Sequence, residues 1–115
     1  MRRREGALVP LEAAVLAAGL DLRSAGQPEF HGFLLAKAIR DGDHARGLTA
    51  HGTLYKALDR MERMGLLESR WEVPDVAAAA GRPRRRFYRV TSQGERALND
   101  ARDAVLARST ELGLA

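Results

Sequence analysis

The sequence predicts a mainly α-helical fold with one small β-hairpin. Three observations carry that reading. Apolar residues recur at helical spacing in four separate stretches, two short stretches with strand character flank residues 74–83, and 115 residues suit one domain with one modest core.

The first helix is read over about residues 10–22. Pro10 suits its first position, where a missing N–H costs nothing, and Leu11, Val15, Ala18 and Leu22 follow on one side. Residues 23–28, with Gly26 and Pro28, read as a loop. Residues 31–40 form a second helix, apolar on most sides and so expected to be largely buried, with Gly42 as its stop. Thr49 is the expected N-cap of a third helix over about 50–64, whose stripe is Leu54, Leu58 and Met61 and whose stop is Gly65. Leu66 to Val73 and Arg84 to Val90 then read as two strands joined by a long tip. The last helix starts near Thr91 or Ser92, with Ser92 and Glu95 spaced as a capping box. Leu98, Val105 and Leu112 recur seven apart along it, with Ala101 between, a narrow seam of coiled-coil type. Three helices, a hairpin and a final helix make a winged helix-turn-helix arrangement, in which the third helix is the one that enters a DNA major groove. The expected division is residues 1–90 as the winged-helix domain and 91–115 as a C-terminal dimerisation helix.

Charge points the same way. The net charge is +4 and the isoelectric point about 10.3. Arg2, Arg3 and Arg4 form one cluster; Arg82, Arg84, Arg85 and Arg86 form another. Concentrated basic sites on a nearly neutral body suit a polyanion. Cysteine is absent, which excludes disulfides and thiolate metal sites. No cofactor or metal is expected: the sequence has no nucleotide-binding glycine loop and no Gly-x-Ser-x-Gly elbow, and His31, His44 and His51 lack metal-ligand spacing. Asp41, Asp43 and His44 read as turn chemistry. No apolar run approaches the ~20 residues of a membrane span. Glu12 interrupts the apolar stretch Leu11–Leu20, which reads as a helix of the domain rather than a leader, so a cytoplasmic protein is expected.

Four segments carry a family resemblance. His31-Gly32-Phe33 opens the second helix; Gly52-Thr53-Leu54-Tyr55-Lys56-Ala57-Leu58 lies in the third; Glu62-Arg63-Met64-Gly65-Leu66-Leu67 turns into the hairpin; Gly81 to Gly94 spans the second strand and the start of the last helix. Together they resemble the PadR-type regulators over about residues 8–100. That resemblance implies a homodimeric, usually repressing, DNA-binding protein without catalytic activity, and a small hydrophobic or aromatic effector. Lys56 stands where a proline is frequent in that family.

The expected partner is double-stranded DNA. On the third helix the candidate contacts are Thr49, His51, Thr53, Tyr55 and Lys56, with Lys56 on a phosphate or a guanine edge. His51 reads equally as a cap, and Tyr55 also as a half-buried ring with its hydroxyl outward. On the wing they are Arg82, Arg84 and Arg86, with Arg84 and Arg86 sharing a face, Arg85 turned away, and Arg82 at the tip, best placed for insertion. Trp71 reads as core packing behind the sheet rather than as part of a ligand pocket between subunits. Leu11, Val15, Leu98, Ala101, Val105 and Leu112 are the expected dimer contacts. An interaction module that has lost DNA binding is the rival reading.

Overall fold

A computed structural model of the protein describes residues 8–41 and 51–111, with side chains for 8–41 and 53–108. In order, the elements are α1 (Pro10–Ser24), α2 (Gly32–Asp41), α3 (His51–Arg63), β1 (Leu67–Trp71), α4 (Pro74–Ala79), β2 (Arg86–Val90) and α5 (Ser92–Glu111). β1 and β2 pair antiparallel, Leu67 opposite Val90 and Trp71 opposite Arg86. Among the described residues no helix is long and apolar enough to cross a membrane.

The core gathers one side of every long helix. Leu54, Leu58 and Met61 of α3 are fully buried, as their spacing predicts, against Leu16 of α1, Leu35 and Ile39 of α2 and Leu67 of β1. Removing each of these groups from water stabilises the fold by about 1.5–3 kcal/mol. α3 ends in a Schellman turn: Leu66 N–H donates to Met61 C=O and Gly65 N–H to Glu62 C=O, with Gly65 at φ +80°. That turn feeds straight into β1. Phe30, ahead of α2, exchanges two backbone hydrogen bonds with Tyr88 of β2, at 2.9 and 2.8 Å. This bridge holds the start of α2 beside the hairpin.

Four expectations are corrected. First, the hairpin tip is not irregular: Pro74–Ala79 is a short helix, opened by Pro74 and built on strong helix formers. It too closes in a Schellman turn, with Arg82 N–H on Ala77 C=O, Gly81 N–H on Ala78 C=O and Gly81 at φ +67°. Second, α2 is less buried than read, since Phe33 is 66% exposed. Third, α5 is capped by Thr91, whose Oγ1 accepts from Gly94 N–H at 3.0 Å, so Gly94 rather than Glu95 occupies the third helical position. Fourth, Leu11, Val15 and Leu98 lie inside the protomer's own core and offer nothing to a partner. Of the expected dimer residues, Ala101 is half-buried and Val105 exposed; Leu112 lies outside the described residues.

Glu12 is the buried polar anchor of this core, fully removed from water. Its carboxylate accepts from the Val9 N–H at 3.1 Å and from Arg60 Nε of α3 at 2.8 Å. It thereby satisfies an orphan donor at the start of α1 and clamps α1 to α3. Glu12→Ala should cost about 2 kcal/mol, because Arg60 stays partly hydrated while the lost bonds and the void do not recover. A lowered urea midpoint at unchanged m-value would register it.

Candidate nucleic-acid interface

Alternation along the hairpin sorts its side chains. Ser69 and Trp71 of β1 share a face with Arg86 and Tyr88 of β2, while Arg70 and Phe87 lie on the other. The first face turns toward α3. There Arg86 donates to Ser69 Oγ at 2.9 Å and to Glu62 Oε1 at 3.0 Å, and Ser69 Oγ donates to Glu62 Oε2 at 2.7 Å. The last turn of α3 and the base of the wing are thus tied by one network. On the second face Arg70 forms a fork with Glu29 at 2.8 and 2.7 Å and lies over the Phe87 ring.

The tip of the wing is organised by Glu72. This residue follows β1 and is 6% exposed. Its N–H donates to Arg85 C=O at 2.7 Å, its C=O accepts from Arg84 Nε at 3.1 Å, and its carboxylate takes both Arg82 Nη atoms and the Arg85 N–H. The Arg82 fork, with the Arg85 N–H adding to it, pushes the Glu72 carboxyl down to about 2. Because the folded value lies below the ordinary 4.5, the stabilisation is complete above about pH 4.5 and drains away as pH falls toward 2. Trp71 emission should therefore change over that interval, and Glu72→Gln should abolish this phase.

The expected contact residues fall into three groups. Thr53 and Lys56 are exposed on α3, and Tyr55 is half exposed. Arg84 and Arg86 do share a face, both over the Trp71 ring with guanidinium carbons 5.5 and 5.4 Å from its centre. Arg82 is corrected: it is held by Glu72 and only 26% of its side chain is exposed, so its charge is neutralised inside the wing. Thr49 lies outside the described residues, as does the side chain of His51.

Trp71 is also corrected, since it is 52% exposed rather than packed behind the sheet. At the far end of β1 its ring extends past the core and finds arginines instead. Strand parity alone turns Arg85 away from the site, yet it is exposed, and its guanidinium forms no ion pair among the described residues, acting on Glu72 only through its field. His31 gains no role from the sequence. Its Nδ1 accepts from Leu34 N–H at 3.3 Å and so caps α2, and its ring meets Phe87 edge-on at 6.0 Å. Burial, and then Arg85 and Arg82, push its pKa down, which favours the neutral ring that can accept.

These parts meet in one depression of about 420 Å³. Its walls are His31, Gly32 and Phe33 at the start of α2, Tyr55 of α3, and Trp71 with residues 82–86 of the wing. Gly32 lets the Tyr55 ring lie close: a Cβ there would come within 2.7 Å of the ring and displace it. Tyr55 of α3 and the wing arginines therefore border the same depression.

A profile of the Transcriptional regulator PadR-like family matches residues 22–100. The protein belongs to that family. It is a transcription regulator, as the family's members are, and not an enzyme. Among solved structures, a PadR family transcriptional regulator from Eggerthella lenta is similar at 24% identity and TM-score 0.64, over 90% of this chain and 81% of that one. A PadR family transcription regulator from Clostridium difficile is similar at 19% identity and TM-score 0.67, over 93% and 100%. The circadian clock associated protein Pex from Anabaena shares the fold at 20% identity and TM-score 0.52, over 89% and 84%. At these identities the likeness speaks for the fold. No curated protein matches the sequence.

Proposed function

We propose that this PadR-like regulator is a cytoplasmic homodimer that binds duplex DNA sequence-specifically and represses transcription. One observation carries the reading: Tyr55 of α3 and Arg84, Arg85 and Arg86 of the wing border a single depression, with Thr53 and Lys56 exposed on the same helix. α3 then enters a major groove, and the wing cations take the flanking backbone or minor groove. Ala101 and Val105, one helical turn apart on α5, supply the subunit seam, so residues 91–115 serve as the dimerisation helix of a winged-helix domain spanning 1–90. Two-fold symmetry calls for an inverted repeat with half-sites about 10 base pairs apart, or a multiple. A small hydrophobic effector that relieves repression completes this reading.

Selection of bound duplexes from fragmented genomic DNA, followed by salt titration of the winners, tests it. The expected result is enrichment of inverted repeats and affinity that falls steeply with salt. Enrichment of no sequence, or binding indifferent to salt, rejects it. Val105→Glu should shift the protein toward monomer in light scattering and weaken binding to the full repeat.

A further inference from the structure

A buried carboxylate in the tip of a cationic wing is the wrong charge for a groove-facing element, and its position explains its presence. We propose that Glu72 is a positioning residue for DNA binding, which ties up one wing arginine to orient the next two. The inference rests on the DNA-binding reading above.

The polar atoms of Glu72 are engaged, and each engagement points at an arginine. The carboxylate holds the Arg82 guanidinium as a fork and takes the Arg85 N–H at 3.3 Å. The backbone C=O takes Arg84 Nε at 3.1 Å, and the N–H adds one further rung to the hairpin through Arg85 C=O. The Schellman turn after α4 delivers Arg82 to this spot by tying its own N–H to Ala77. With residues 72 and 85 joined, strand parity is imposed on the tip: Arg84 lies over Trp71, and Arg85 falls on the other side, toward His31. Arg82 and Glu72 cancel as charges. The wing thus offers Arg84 with its side chain held and Arg85 rising from a backbone fixed at both its N–H and its C=O, instead of a mobile group of arginines, which lowers the ordering cost of gripping a DNA backbone.

Charge counting and positioning make opposite forecasts. Glu72→Gln raises the net charge by one, so a purely coulombic wing binds DNA more tightly. A positioned wing binds more weakly and makes fewer phosphate contacts. The test is fluorescence anisotropy of the full-length protein with a selected duplex, across a salt series. Glu72→Gln is expected to bind about tenfold more weakly, with a salt slope shallower by about 1 despite the added charge. Arg82→Gln breaks the same link from the other side and should match it, and the double variant should be no worse than either single. Glu68→Gln is the charge control: it removes an exposed carboxylate paired with Arg89 on the same strand pair and should not weaken binding. Thermal melts confirm that each variant is folded, and a folding defect alone leaves the salt slope unchanged. Equal or tighter binding by Glu72→Gln at an equal or steeper slope overturns the inference and leaves the DNA reading standing. A wild-type protein that does not bind duplex DNA overturns both.

Discussion

Replacing Lys56 and Arg85 together by glutamine should weaken duplex binding about a hundredfold at 0.15 M salt and make the salt slope shallower by about 1.8. The slope follows from two lost phosphate contacts at about 0.9 each. The choice of residues follows from how charge is paired around the wing. Arg82 is paired with Glu72, Arg86 with Glu62, Arg89 with Glu68 and Arg70 with Glu29. An ion pair on the protein is close to neutral at the distance of a phosphate, and opening it forfeits what the pair already contributes. Lys56 and Arg85 are exposed and form no ion pair among the described residues, Arg85 acting on Glu72 only through its field, so their charge is available without breaking a pair. Both lie at the surface, so the double variant should melt within about 0.5 kcal/mol of wild type. Isothermal titration over a range of salt measures both quantities. A hundredfold loss without a change in slope would mean that the two residues act through the fold.

These pairings also separate what is legible in the sequence from what is not. The apolar stripe of α3 is legible because Leu54, Leu58 and Met61 repeat locally, and periodicity needs no knowledge of distant residues. The four wing arginines look alike in the sequence. What separates them is Glu72, ten residues before Arg82, and Glu62, twenty-four before Arg86, and no local pattern encodes those pairings. Glu12 looks like an interruption of an apolar run; its partner Arg60 is forty-eight residues on. Leu11 and Val15 read as an available seam because a helix stripe does not say which neighbour covers it. The helix at the wing tip is different. Pro74 followed by Asp75 and a run of alanines is a local signal for a helix start, and it is there to be read. Trp71 misleads through composition: a lone tryptophan suggests a core, but the strand carries it beyond the last core layer.

Gly94→Ala is expected to destabilise the protein by about 2 kcal/mol, although helix propensity favours alanine by about 1 kcal/mol. The site decides the sign. A Cβ at Gly94 would press into the backbone oxygen of Leu66 and come within 3.1 Å of Leu16 Cδ2 and Val90 Cγ1. Leu66 cannot swing aside, because its C=O accepts from Thr91 N–H at 3.1 Å and its N–H is held in the turn that ends α3. Overpacking against a pinned backbone costs about 3 kcal/mol, which exceeds the propensity gain. A fall in Tm of roughly 10 °C is expected, with Arg96→Ala on the exposed side of α5 as a neutral control. The effect should also reach the interface. Gly94 is where α5 rests on the junction between α3 and β1, and that junction sets the angle between α3 and the wing. If α5 is forced outward, Leu66 and β1 move with it, and DNA affinity should fall even at temperatures where the variant is fully folded. A Gly94→Ala variant as stable as wild type would show that α5 is free to slide on that junction, and that the angle between helix and wing is set elsewhere.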